Sequence, residues 1–299
     1  MDKGDNNSTN NFIQGITGHT SLYGLLGSPV AHSISPMMHN ESFKYHNIDS
    51  VYLCFDVGTK NLAEAVKGLK CIGIKGFNCT MPDKNLILEL VDEVSPAAEI
   101  IGAANTVLNS NGKLTAYNTD GIGYMKACED AGHNITGKKM TLLGAGGAAT
   151  AICTQAALDG VKSINVFSLK DEFWNRAQNL VDKINSKTDC MVSLYELNDD
   201  KELSKSISES NILTNATPVG MAPNIDSCII KDKSYLHENL IVSDIIYNPS
   251  ETKLYKMAKA VGCPVFNGMY MLLYQGAEAF KIWTGKDMPV ELIKEKYFS

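Results

Sequence analysis

The stretch Met140-Thr-Leu-Leu-Gly144-Ala145-Gly146-Gly147-Ala148-Ala149 constrains the fold of this chain more than any other. It is an apolar run that passes through a glycine cluster directly into a helix-forming segment. It reads as a buried strand over residues 139–143, a sharp turn, and a helix reaching about residue 158. Gly144 permits the turn, and Gly146 lets the backbone approach a pyrophosphate. Gly147 and Ala148 are small enough for the helix to pack on the strand, with its N-terminal amides aimed at the phosphates. A glycine-rich turn without a ligand explains the same residues, so the surrounding pattern has to decide.

That pattern alternates strand and helix from end to end. After the glycine cluster, residues 163–167, 191–194, 212–216, 240–246 and 265–266 read as strands separated by helical segments, which completes a doubly wound unit. Before it, residues 23–27, 51–55 and 72–78 read as strands, and 36–46, 60–69 and 82–91 as helices. Such β-α-β order predicts a mostly parallel sheet. Asn111-Gly112 predicts a hairpin turn between residues 106–108 and 113–116. Residues 121–131 form a connecting helix, and 268–298 form two helices that return to the first sheet. The expected class is therefore α/β, with two α/β domains and a cleft between them. Residues 1–15 are read as a disordered extension and 16–120, completed by 268–299, as the first domain. Residues 121–267 are read as a Rossmann-like dinucleotide-binding domain.

A length of 299 residues suits two domains, and 44% hydrophobic with 20% charged residues is an ordinary globular balance. A net charge of -6 offers no electrostatic reason to hold a nucleic-acid backbone. No run nears the roughly 18 apolar residues of a membrane helix, and the polar, Asn-rich start carries no secretory signal pattern. The eight cysteines form no CxxC pair and the six histidines no HExxH. Free thiols in a reducing cytoplasm, without a metal, are expected.

Three stretches in the first domain carry candidate chemistry. In Ser33-Ile-Ser35-Pro36, Ser35 and Pro36 read as helix N-cap and first helical residue. Two hydroxyls beside free helix amides make a carboxylate site, although Ser35 as a simple cap explains the same pair. In Asn78-Cys-Thr80-Met-Pro82-Asp83-Lys84, the proline places Lys84 in a first helical turn, where a cation opposes the dipole. A lysine that breaks a local rule at a polar strand end is a candidate acid/base, against the alternative of an ordinary surface lysine. Asn105, in Gly102-Ala-Ala-Asn105-Thr106, and Asp120, in Asn118-Thr119-Asp120-Gly121, acquire meaning only if they meet Lys84 in space; Asp120 otherwise caps the connecting helix.

Cofactor choice falls after the second Rossmann strand, at Ser168-Leu169-Lys170-Asp171. There Asp171 suits the ribose 2′-hydroxyl of NAD and repels the 2′-phosphate of NADP. Ser168-x-x-Asp171 equally reads as a capping box for a helix from residue 172, and Lys170 has the reach and charge to hold a phosphate.

Taken in order, these stretches, with Asn215-Ala-Thr217-Pro-Val-Gly220-Met221, Tyr247-Asn248-Pro249 and the run from Gly268 to Gln275, resemble the shikimate dehydrogenase family over essentially the whole chain. The resemblance is strongest to its quinate/shikimate dehydrogenase branch, through Met81-Pro82-Asp83-Lys84 and Lys170-Asp171-Glu172-Phe173. It implies reversible NAD(P)-dependent oxidation of the C3 hydroxyl of shikimate or quinate, in aromatic amino acid biosynthesis or quinate use. Lys84 would be the acid/base, paired with Asp120. Ser33, Ser35 and Tyr247 would hold the carboxylate, and Thr80, Asn105 and Gln275 the ring hydroxyls. Gly144, Ala145, Gly146, Gly147, Ala148, Ser168, Leu169, Lys170, Asp171, Thr217, Ile245, Tyr247, Asn248 and Gly268 would contact the cofactor. Family members specific for NADP tend to carry Asn-Arg-Thr where this chain has Ser168 and Leu169 followed by Asp171, so NAD or dual use is implied. A small-molecule substrate and a homodimer complete the expectation, with neither nucleic acid nor membrane as partner. A non-catalytic sensor of this fold would not need the Lys84–Asp120 pair. A dehydrogenase for another small acid would not need the paired serines.

Overall fold

The computed structural model describes residues 15–298. Apart from the exposed Gly15, the expected extension over 1–15 lies outside the described residues.

The first sheet is built from β1 (Ser21–Gly27), α1 (Ser35–Tyr45), β2 (Ser50–Asp56), α2 (Leu62–Cys71), β3 (Gly76–Cys79), β4 (Glu93–Val94), α3 (Pro96–Ile101), β5 (Thr106–Ser110) and β6 (Lys113–Tyr117). Its strand order is β2-β1-β3-β5-β6-β4. Only β5 runs against the others, antiparallel to both β3 and β6, so the sheet is mostly parallel, as its pattern predicts. Asn111 and Gly112 take φ of 53° and 89°. They form the two-residue turn between the paired Ser110 and Lys113, the left-handed conformation such a hairpin requires.

The second sheet follows α4 (Asp120–Asp130). It comprises β7 (Lys139–Leu143), α5 (Gly147–Leu158), β8 (Ser163–Ser168), α6 (Trp174–Lys187), β9 (Met191–Glu196), α7 (Asp200–Glu209), β10 (Ile212–Asn215), β11 (Ile241–Asp244), α8 (Lys253–Val261) and β12 (Val265–Asn267). All its pairings are parallel, in the order β12-β11-β10-β7-β8-β9. The order reverses between β7 and β10, where doubly wound sheets open a crevice for a nucleotide. Alternate residues of β7 serve opposite cores. Met140 and Leu142 pack with Ile152 and Ile164, while Leu143 packs with Phe167, Leu203 and Leu254, the period of two a strand buried on both faces shows.

The chain ends in α9 (Met269–Thr284) and α10 (Val290–Tyr297). Both return to the first sheet, where Phe280, Trp283 and Ile293 pack with Tyr23, Phe43 and Tyr52, and the Trp283 indole N–H donates to the Val107 carbonyl at 3.0 Å. Helix α4 joins the two halves. A Cβ at its Gly123 would lie 2.6 Å from the Gln275 nitrogen and 2.7 Å from the Met271 carbonyl of α9. The absent side chain is what lets α9 lie this close.

Several local expectations fail. Strand β3 begins at Gly76 rather than residue 72, because α2 runs to Cys71 and Gly73 reverses the chain at φ 78°. Residues 82–91 do not form an α-helix; 81–85 are a turn leading into a 3₁₀ segment, Leu86–Leu90. Ser35 is the first residue of α1 rather than its cap, and the cap position, Ile34, makes no side-chain bond. Asp120 likewise does not cap α4, whose cap position is Thr119. Ser168 and Asp171 form no capping box, since α6 starts at Trp174; Asp171 Oδ1 instead accepts the Phe173 N–H at 2.9 Å in a turn.

Candidate active site

A cavity of about 540 Å³ lies in the cleft. Its walls come from the loop after β1, the turn after β3, Asn105, the start of α4, the segment after β11, and α9 with the end of α10. Ser33, Ser35, Thr80, Lys84, Asn105, Asp120, Tyr247 and Gln275 all line it. Eight residues drawn from six separate stretches of chain thus share one volume.

The Lys84 ammonium reaches Asp120 Oδ2 at 2.6 Å. Their side chains are 29% and 15% exposed, so the pair is sheltered but open on one side to the cavity. Asp120 Oδ1 accepts the Asn105 amide at 2.8 Å. The same amide nitrogen lies 3.3 Å from Gln275 Oε1 and 3.0 Å from the Thr119 hydroxyl. On its other side, Asn105 Oδ1 accepts the Thr119 N–H at 2.9 Å. Backbone bonds fix the positions: Ala104 N–H donates to the Lys84 carbonyl at 2.8 Å and Asn105 N–H to the Tyr117 carbonyl at 3.0 Å. Lys84 therefore stands on a turn tied to the strand that presents Asn105. The helix dipole invoked for it is absent, and the charge that holds it is the Asp120 carboxylate.

On the loop after β1, Ser33 Oγ accepts the Ser35 N–H at 3.2 Å. Both serine side chains line the cavity. Tyr247, half-exposed, faces the cavity from the second domain.

Beneath the site is a polar layer that local sequence reasoning assigned no role. The Tyr52 phenol donates to Asn78 Oδ1 at 2.7 Å, and Asn78 Nδ2 donates to the Asn105 carbonyl and the Thr106 hydroxyl, both at 3.0 Å. His39 stacks on the Tyr52 ring at 4.5 Å. It is fully buried with both ring nitrogens unpartnered, and burial pushes its pKa down to about 3, so the imidazole is neutral. Asn78 gave one signal, a polar side chain at the end of an otherwise apolar buried strand. Tyr52 and His39 gave none. Tyr297 and Phe298, which also line the cavity, were equally invisible.

The cofactor-side residues divide into two groups. Ile245, Tyr247 and Gly268 border the cavity, and Gly268 sits so tightly on the Ile245 carbonyl that a Cβ would overlap it. Gly144, Ala145, Gly146, Gly147, Ala148, Ser168, Leu169, Lys170, Asp171, Thr217 and Asn248 lie outside its lining, at or just beyond the carboxyl ends of β7, β8, β10 and β11. Gly144 takes φ 103°, a conformation that favours glycine. The N-terminus of α5 has no side-chain cap, and open space lies where a Cβ of Gly146 or Gly147 would be. The expected packing role for Gly147 is therefore replaced by clearance. Free amides, open space and the crevice between β7 and β10 together fit a pyrophosphate. Lys170 rests its ammonium 5.9 Å from the Trp174 ring centre.

Among the described residues, no three His, Cys, Asp or Glu side chains cluster as metal ligands, and no helix is long and apolar enough to cross a membrane.

Comparison with known proteins agrees with this architecture. Residues 25–107 match the family model described as shikimate dehydrogenase substrate binding domain, and 268–296 the one described as shikimate 5'-dehydrogenase C-terminal domain. The chain is 52% identical to the shikimate dehydrogenase (NADP(+)) of Listeria monocytogenes serotype 4b over 290 residues, covering 97% of this chain and 100% of the relative. It is 42% identical to a quinate/shikimate dehydrogenase of Escherichia coli O139:H28, covering 94% and 97%. The crystal structure of the Listeria monocytogenes shikimate 5-dehydrogenase in complex with shikimate and NAD superimposes with a TM-score of 0.92 at 52% identity, over 94% of this chain and 97% of that one.

Proposed function

The chain belongs to the shikimate dehydrogenase family, and from that premise we propose that Lys84 and Asp120 carry its proton transfer, at the secondary C3 hydroxyl of shikimate or quinate. The activity is that of an NAD(P)-dependent oxidoreductase. The observation that carries the assignment is the 2.6 Å contact between Lys84 Nζ and Asp120 Oδ2 in the wall of the cavity.

In the direction of ketone reduction, the Lys84 ammonium donates to the substrate carbonyl oxygen and gives up a proton to it as the carbon is reduced. In the direction of oxidation, the neutral amine takes the hydroxyl proton. A bound nicotinamide supplies or takes up the hydride. Asp120, fixed by Asn105 on its second oxygen, holds the lysine in position and balances its charge. Thr80, Asn105 and Gln275 receive the ring hydroxyls. Ser33 and Ser35 receive the carboxylate at the first turn of α1, with Tyr247 opposite. Gly144, Ala145, Gly146, Gly147 and Ala148 hold the pyrophosphate. Ser168, Leu169, Lys170 and Asp171 meet the adenosine ribose, and Thr217, Ile245, Asn248 and Gly268 border the rest of the cofactor.

NAD, or both cofactors, is the reading for this chain. Asp171 keeps one carboxylate oxygen beyond its own turn, and of two proteins each 52% identical to this chain one is named for NADP(+) and the other is crystallised with NAD. Free cysteines throughout the described chain support a reducing, cytoplasmic setting. A four-way steady-state assay, shikimate and quinate each with NAD and NADP, tests the reading. Turnover of neither compound with either cofactor overturns it, and a strong preference for NADP overturns the role of Asp171.

A further inference from the structure

We propose that Phe298, backed by Tyr297, determines specificity by forming an aromatic wall of the substrate cavity beside Ser33 and Ser35. The proposal rests on the reading of the cavity as a shikimate/quinate site.

Both aromatic residues line the cavity that holds the two serines. Both also pack in the same apolar cluster as Ile34, the residue between those serines. They are thus placed on the side of the cavity that the Ser33–Ser35 loop forms. Two tethers hold the wall there. Lys296 ion-pairs with Glu41 of α1 at 2.7 Å, which ties α10 to the helix that Ser35 begins. Lys294 ion-pairs with Asp130 at the far end of α4, and its ammonium lies 4.7 Å from the Tyr270 ring centre and 5.5 Å from that of Tyr274. The Tyr274 phenol donates to the same Asp130 carboxylate at 2.8 Å. Helix α4 carries Asp120 at its first residue and Asp130 at its last. One helix therefore carries Asp120 of the reacting pair at one end and, at the other, anchors α10, which ends in the wall.

Shikimate and quinate differ at the ring carbon that bears the carboxylate. In shikimate that carbon is flat and unsaturated. In quinate it is tetrahedral and carries an additional hydroxyl. A phenylalanine ring accommodates the flat apolar carbon, whereas a hydroxyl pressed against it loses water and gains no partner. The wall therefore favours shikimate.

The test measures kcat/KM for both compounds in the wild type and in Phe298→Ala, Phe298→Leu and Tyr297→Ala, together with KM for the cofactor. The ratio of shikimate to quinate should fall about five- to tenfold in Phe298→Ala. It should move in the same direction in Tyr297→Ala and stay within twofold of wild type in Phe298→Leu, which keeps the apolar bulk. Cofactor KM should be unchanged throughout. A ratio within twofold of wild type in both alanine variants overturns the proposal while leaving the dehydrogenase reading intact. A Phe298→Leu variant, folded by its thermal midpoint, whose ratio nonetheless collapses also overturns it. A wild type that turns over neither compound overturns both.

Discussion

Lys84 and Asp120 meet at 2.6 Å from opposite ends of a 36-residue excursion of the chain, and the carboxylate that receives the lysine is held on its other oxygen by Asn105. Removing the ammonium takes away the proposed proton donor and leaves the Asn105–Asp120 contact in place. Lys84→Ala should lower kcat by about 10²–10⁴ with little effect on cofactor affinity. Steady-state kinetics beside a direct titration of NAD(H) checks this; near-normal turnover would sink the assignment.

Gly123→Ala should loosen the same site from a distance. Alanine is the better helix former by roughly 1 kcal/mol, yet its methyl would press on backbone atoms of α9 at 2.6 and 2.7 Å. Overpacking of this kind costs about 1–3 kcal/mol, and backbone cannot turn aside as a side chain would. The overlap should win. A lower thermal midpoint and a raised KM for shikimate are expected, because α9 also carries Gln275, whose Oε1 meets Asn105. An unchanged midpoint would show that α4 and α9 separate freely.

The doubly wound second unit was legible because a buried strand, a glycine turn and a helix start, followed by alternating strands and helices, leave few arrangements open. The Asn111-Gly112 hairpin was legible for the same local reason. Lys84 was placed on the wrong element. Pro82 and the apolar spacing behind it suit a helix, but residues 81–85 form a turn bonded to Ala104, just before β5, and only the tertiary partner shows that. The layer of His39, Tyr52 and Asn78 was hidden for a different reason. Tyr52 meets Asn78 across 26 residues and Asn78 meets Thr106 across 28, and no local spacing encodes either contact. Phe298 reaches the cavity through the seating of α10 against α1 and the end of α4, which no local spacing encodes.

Acid should destabilise the fold through His39. Burial lowers its pKa to about 3 in the folded chain, against about 6.5 unfolded. The unfolded chain therefore binds the extra proton between these values. The stability from the neutral buried ring is complete above about pH 6.5 and is lost progressively as pH falls toward 3. At pH 5 the loss is about 2 kcal/mol, on the order of 4 °C in thermal midpoint for a chain of this size. His39→Leu removes the titration and should flatten the decline between pH 7 and pH 5. Parallel slopes for wild type and variant would show that the ring is protonated without cost.

Asp171→Asn isolates the charge proposed to select the cofactor. Asp171 Oδ1 accepts the Phe173 N–H at 2.9 Å, and an asparagine side-chain oxygen accepts the same bond, so the turn into α6 should survive. What disappears is the negative charge proposed to meet a ribose 2′-hydroxyl and repel a 2′-phosphate. The ratio of kcat/KM for NADP over NAD should rise about tenfold, a shift of roughly 1.4 kcal/mol, while KM for shikimate stays put because Asp171 lies outside the cavity lining. Lys170, whose ammonium rests near the Trp174 ring, supplies the control. Lys170→Ala in the Asp171→Asn background should reverse the gain if the lysine leaves that ring to hold the phosphate. A ratio unmoved by Asp171→Asn would mean that another group reads the ribose.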